Sequence, residues 1–127
     1  MPRERLTDRQ LRFLARVVAE LETETVEVPS PVDLARRLGV PPPAVEEILR
    51  LGARAGDVVA VANRLYYSPV QIASIVARLR AATEGRAFSP AEARTILGTT
   101  RRYAEPLLAH LDATEVTNWV PEGRRIS

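Results

Sequence analysis

The chain of 127 residues is 46% apolar and carries a formal net charge of +2, which allows one ordinary domain or two very small ones with a folded core. It has no cysteine and one histidine, His110, which excludes a disulfide framework, a thiol nucleophile and a cysteine metal site and points away from any metal or cofactor. No apolar run approaches the ~20 residues of a membrane span, and the start, MPRERLTDRQL, lacks the apolar stretch of a signal peptide, so a cytoplasmic location is expected.

From Thr7 onward, apolar residues recur at helical spacing through Leu11, Leu14, Val17 or Val18 and Leu21. Thr7 stands as N-cap, with Gln10 at the capping-box position. The acidic stretch ETETVEV breaks the pattern, and Val26 and Val28 predict a short strand. Ser30-Pro31 opens a second helix, which stops at Gly39, a favoured residue just past a helix end. After Pro41, Pro42 and Pro43, a third helix holds Val45, Ile48 and Leu49, with Gly52 and Gly56 marking its end. The β-rich runs DVVAV and RLYY, joined at Ala62-Asn63, predict a hairpin.

The same order then repeats. Ser68 caps a helix from Pro69 to Ala82, with Ile72, Ile75, Val76 and Leu79 inward, and Ala87-Phe88 is a candidate short strand. Ser89-Pro90 opens a helix that ends at Gly98. The next helix carries Ala104, Leu107 and Leu108, with Pro106 in its interior predicting a bend. VTNWV, a Pro-Glu-Gly turn and RRI form the last hairpin. Ser30 and Ser89, Gly39 and Gly98, and Leu49 and Leu108 each lie 59 residues apart. The repeating unit is a helix-turn-helix followed by a hairpin, the winged-helix pattern. The expected fold class is α+β, mainly α with small β-hairpins: two tandem winged-helix domains, 1–68 and 69–127.

There is no glycine-rich phosphate loop, no HExxH and no Ser/His/Asp constellation, so the chain is not expected to be an enzyme. The first domain balances ten arginines against ten acids, whereas the second has eight arginines against six. The two third helices also differ. GVPPPAVEE, with three prolines and two acids, is a poor surface for phosphates and marks the first domain as a spacer or a protein contact. GTTRRYAEP places Thr99 or Thr100 as cap, with Arg101 and Arg102 over the free N–H groups of a helix start. With Arg94 from the preceding helix and Arg124 and Arg125 from the hairpin, these form a candidate phosphate-backbone site. Tyr103 shares a face with Leu107. Trp119, in the wing, either covers the core or stacks on a base or a partner. Two other readings stay open at this level: a winged-helix DNA-binding regulator, though no extra helix is present to dimerise it, and a protein-interaction scaffold.

The stretch Phe88–Asp112, FSPAEARTILGTTRRYAEPLLAHLD, resembles the last winged-helix domain of the bacterial selenocysteine-specific elongation factor family, SelB. The matching motifs are Ala91-Glu92-Ala93-Arg94, Gly98-Thr99-Thr100-Arg101-Arg102-Tyr103, Pro106-Leu107-Leu108 and Leu111-Asp112. The resemblance implies a monomeric RNA-binding module that grips an mRNA hairpin, the SECIS element, downstream of an in-frame UGA. The ribosome and selenocysteinyl-tRNA would be partners through the full-length factor, whose GTPase domains lie N-terminal. It implies RNA contacts at Thr100, Arg101, Arg102 and Tyr103, with Arg94 nearby and Arg124 and Arg125 from the wing. The family wing typically reads Thr-Arg-Arg-Val-Gly-Asp-Lys-Arg. Here Asn118 and Trp119 stand in place of two arginines, so the first wing strand has lost its charge.

Overall fold

The computed structural model describes residues 5–126, which form six helices and two antiparallel hairpins and divide into two compact units after Gln71. The first unit contains α1 (Asp8–Leu21), α2 (Pro31–Leu38), α3 (Pro42–Ala55), β1 (Val59–Ala62) and β2 (Leu65–Tyr67). The division falls within α4 (Pro69–Thr83), and the second unit continues with α5 (Pro90–Leu97), α6 (Arg101–Ala113), β3 (Thr117–Val120) and β4 (Gly123–Ile126).

In the first unit, Thr7 and Gln10 form the expected capping box, with bonds of 3.1 and 2.8 Å. α1 turns Leu14, Val17 and Leu21 into a core shared with Leu34, Val45 and Leu49, while Leu11 stays exposed. The strand expected at Val26 and Val28 is absent: residues 22–27 form turns and bends, and residues 28–30 carry no strand pairing. Both valines are buried, but side chains from later in the chain take the carbonyls that a ladder would use. The Tyr67 hydroxyl donates to Val26 O at 2.6 Å, and the Gln71 amide donates to Leu21 O and Glu24 O at 2.6 and 2.5 Å. Gly52 does not end α3; it lies inside that helix. A Cβ there would sit 3.0 Å from Leu14 Cδ1, so the glycine lets α1 and α3 approach. The hairpin turn is Asn63-Arg64, one residue later than expected, with Arg64 at φ 60°.

Ser68 caps α4 as expected: Gln71 N donates to its Oγ at 3.2 Å, and Ser68 N donates back to Gln71 Oε1 at 2.8 Å. In the second unit, Ile75 and Leu79 of α4 are fully buried, as are Phe88, Ala93, Leu107 and Leu111. Ser89 and Glu92 close another capping box over α5. Gly98 ends that helix in the left-handed region, at φ 64° and ψ 40°. α6 is unbroken across Pro106, which supplies no N–H to the carbonyl of Arg102.

The wing pairs Thr117 with Ile126, Asn118 with Arg125, Trp119 with Arg124 and Val120 with Gly123. Its turn is therefore Pro121-Glu122, and Gly123 belongs to β4. The short strand expected at Ala87-Phe88 is reduced to a single β-bridge, in which Phe88 exchanges two backbone bonds with Arg124, at 2.8 and 3.1 Å, beside β4. A Cβ on Gly123, at φ 140°, would lie 2.7 Å from Phe88 O. Only glycine permits that approach.

Candidate nucleic-acid interface

The α5–α6 turn is built by backbone bonds. The N–H of Thr99 donates to Arg94 O at 3.0 Å, so Arg94, half-buried on α5, anchors the turn through its main chain. Thr100 is the N-cap of α6, extended at φ −107° and ψ 172°, but its hydroxyl makes no capping bond. The N–H groups of Tyr103 and Ala104 reach Thr100 O at 3.2 and 3.0 Å. Those of Arg101 and Arg102 have no acceptor among the described residues.

A threonine cap normally contributes about 1 kcal/mol through its hydroxyl. Here that contribution is unused, and two cations stand in the first turn, where the helix dipole opposes them. Arg101 is 72% exposed and pairs with Glu105 at 3.3 Å, a surface contact worth only ~0.3–0.5 kcal/mol. Arg102 is exposed and lies 5.4 Å from the ring of half-buried Tyr103. This end of the helix thus presents two N–H donors, a hydroxyl and two guanidinium groups to solvent. An anion satisfies all of them at once.

The wing arginines part company. Arg125 is exposed and shares the Asn118 face of the hairpin, whereas Arg124 shares the face of Thr117 and Trp119. The Arg124 side chain is only 12% exposed, and its guanidinium grips Asp112 at the end of α6 with bonds of 3.0, 3.1 and 2.9 Å. Thr117 Oγ1 donates to the same carboxylate at 2.5 Å. Burial alone would raise the Asp112 carboxyl. Hydrogen bonds from Arg124 and Thr117, the Arg124 charge and the Trp119 indole together outweigh it and hold the group below the ordinary carboxylate range. Trp119 is 63% exposed and does not cover the core; its ring lies over the Arg124 guanidinium at 4.2 Å. Arg124 is therefore a brace between α6 and the wing rather than a free cation.

Asp112 as the hub of this brace was not visible in the sequence. The only local signal is the spacing to Thr117; the partner twelve residues on depends on the hairpin register. The corresponding place in the first unit lacks any anion site. α3 begins at Pro42-Pro43 with no side-chain cap, neither proline has an N–H, and the N–H of Ala44 is bonded to Pro41 O at 3.0 Å. Among the described residues no group of three or more His, Cys, Asp or Glu is placed to hold a metal, and no helix is long and apolar enough to cross a membrane.

Residues 80–126, within the second unit, match the sequence model of the family described as elongation factor SelB, winged helix. Among solved structures, the chain is similar to the mRNA-binding domain of elongation factor SelB from E. coli in complex with SECIS RNA. That likeness has a TM-score of 0.74 at 20% identity, covering 95% of this chain and 98% of the other. It is also similar to a bacterial selenocysteine-specific elongation factor, EF-Sec, with a TM-score of 0.68 at 21% identity over 95% of this chain. It spans 18% of that factor's length. No curated protein sequence matches the chain.

Proposed function

We propose, from the premise that residues 80–126 are a winged helix of the elongation factor SelB family, that the chain is the mRNA-binding end of a selenocysteine-specific elongation factor. Residues 69–127 grip an mRNA hairpin of the SECIS type, and residues 1–68 act as a spacer. The observation that carries the reading is the uncapped start of α6, where the N–H groups of Arg101 and Arg102 and the Thr100 hydroxyl are open and the Arg101 charge meets only the exposed Glu105. Neighbouring phosphates of the hairpin backbone fit that set, and Arg94 and Arg125 add charge at its flanks. Tyr103 limits the freedom of Arg102. Thr99 shapes the turn through its backbone. Trp119, backed by Arg124, offers a flat face to an unpaired base, the part of an RNA hairpin that a protein reads most readily. The chain works as a monomer in the cytoplasm. GTP hydrolysis, tRNA delivery and ribosome contact belong to the remainder of the full-length factor.

The test is a fluorescence titration at two salt concentrations. The probes are a hairpin from the source's own UGA-containing message, the same hairpin with a scrambled loop, and duplex DNA. Preference for the native hairpin is the expected result. Equal binding to all three would reduce the site to a general phosphate grip, and preference for the duplex would favour a DNA-binding regulator.

A further inference from the structure

The first unit carries a cationic groove that the RNA contact leaves unused. Arg9, Arg12 and Arg16 line one exposed face of α1, spanning about 10 Å along its axis. Asp8 and Glu20 occupy the positions from which acids would pair with Arg12 and Arg16 along the helix. Among the described residues Asp8 makes no such pair, and Glu20 turns instead to Arg37 at 3.7 Å. Among the described residues, three like charges thus stand together without a counterion, and Arg9 lies in the first turn, where the dipole opposes a cation. Between this wall and the start of α3 runs an open groove of about 710 Å³ with an apolar floor of Phe13, Val40, Pro41 and Ala44.

The missing element is an anion from another molecule, and the start of α3 decides its class. Pro42 and Pro43 offer no N–H, and that of Ala44 is already bonded to Pro41 O. A phosphate would find no backbone donor there. A sugar–phosphate strand would also lose hydration over the apolar floor without a hydrogen bond in return. An amphipathic peptide gains in both places. We infer that this groove docks an acidic amphipathic helix of a protein partner, its apolar side chains on Phe13, Val40, Pro41 and Ala44 and its carboxylates on Arg9, Arg12 and Arg16.

An NMR titration of the ¹⁵N-labelled full chain tests this. The probe is a short synthetic helix with Leu on one face and Glu on the other; the controls are its scrambled sequence and single-stranded oligouridylate. The helix is expected to shift the amides of Phe13, Arg16, Val40 and Ala44 more strongly than either control. A charge-reversed R12E/R16E chain is expected to bind the helix about tenfold more weakly while holding hairpin RNA as the unaltered chain does. Absent shifts at these residues, an equal response to the scrambled peptide, or stronger binding of oligouridylate in the groove would each overturn the inference.

Discussion

Replacing Asp112 with Asn tests whether the wing is held by charge. The carboxylate receives hydrogen bonds from Arg124, Thr117 and the Trp119 indole, and the Arg124 side chain is only 12% exposed. Asn keeps an acceptor for Thr117 but leaves the guanidinium without its counter-charge. Breaking a fully buried pair costs ~3–5 kcal/mol, whereas an exposed pair contributes ~0–1. With Asp112 23% exposed, this pair falls between those limits, at about 2 kcal/mol. Trp119 is the one tryptophan of the chain and stacks on Arg124, so its fluorescence reports on this unit alone. With a slope of ~1 kcal/mol per molar urea for so small a unit, the unfolding midpoint falls by about 2 M.

Two controls sharpen the experiment. Arg124→Met combined with Asp112→Asn removes both charges, and the double variant is expected to be more stable than D112N alone. The effect also depends on pH. The folded-state pKa of Asp112 is depressed, so its contribution is complete above the ordinary carboxylate value and is lost as pH falls through the folded one. The gap between the parent chain and D112N therefore shrinks below about pH 4. An unchanged urea midpoint for D112N at neutral pH would refute the brace.

Arg101→Ala is expected to weaken hairpin binding and to make the slope of log affinity against log salt shallower by ~0.7–0.9, the signature of one lost phosphate contact; titration at several salt concentrations reads it. Gly123→Ala should lose about 3 kcal/mol in urea unfolding, because the new Cβ meets Phe88 O at 2.7 Å in a backbone region that L residues rarely adopt. Glu115 stands at φ 62° just past α6, where Val116 N donates to Leu111 O at 2.9 Å. Glu115→Gly should therefore raise the thermal midpoint, by about 0.5–1 kcal/mol of stability.

Much of the fold was legible because its signals are local. The boxes Thr7–Gln10 and Ser89–Glu92, the caps Ser30 and Ser68, and the left-handed Gly39 and Gly98 each involve residues within a turn of one another. What could not be read depends on long-range partners. Val26 and Val28 have strand character, yet Tyr67 and Gln71, more than forty residues away, take the carbonyls of that segment. Gly52 looks like a helix end until Leu14 is placed against it. At the candidate site, the helix start at Thr100 and the two arginines of its first turn follow from GTTRRY. That the Thr100 hydroxyl makes no capping bond does not, since the caps Thr7, Ser30 and Ser89 all make theirs. The withdrawal of Arg124 into a pair with Asp112 does not follow either, because an arginine in sequence gives no sign of whether its charge faces solvent or a carboxylate across a hairpin.

The two third helices show how one scaffold leaves N–H donors open at one helix start and none at the other. Both follow a glycine cap in the left-handed region, and their core positions, Val45, Ile48 and Leu49 against Ala104, Leu107 and Leu108, are buried alike. The difference lies in the first turn. Pro42 and Pro43 are well suited to a helix start because their missing N–H groups are ones the helix cannot use. That choice stabilises the start of α3 at the expense of any anion contact. α6 does the reverse: Arg101 and Arg102 keep both N–H groups and add charge against the dipole, while the Thr100 hydroxyl stays uncommitted. Judged by stability alone, α6 has the worse start. It becomes the better one when a phosphate is bound, which is why this turn, rather than the more charged face of either unit, is the place to look for RNA.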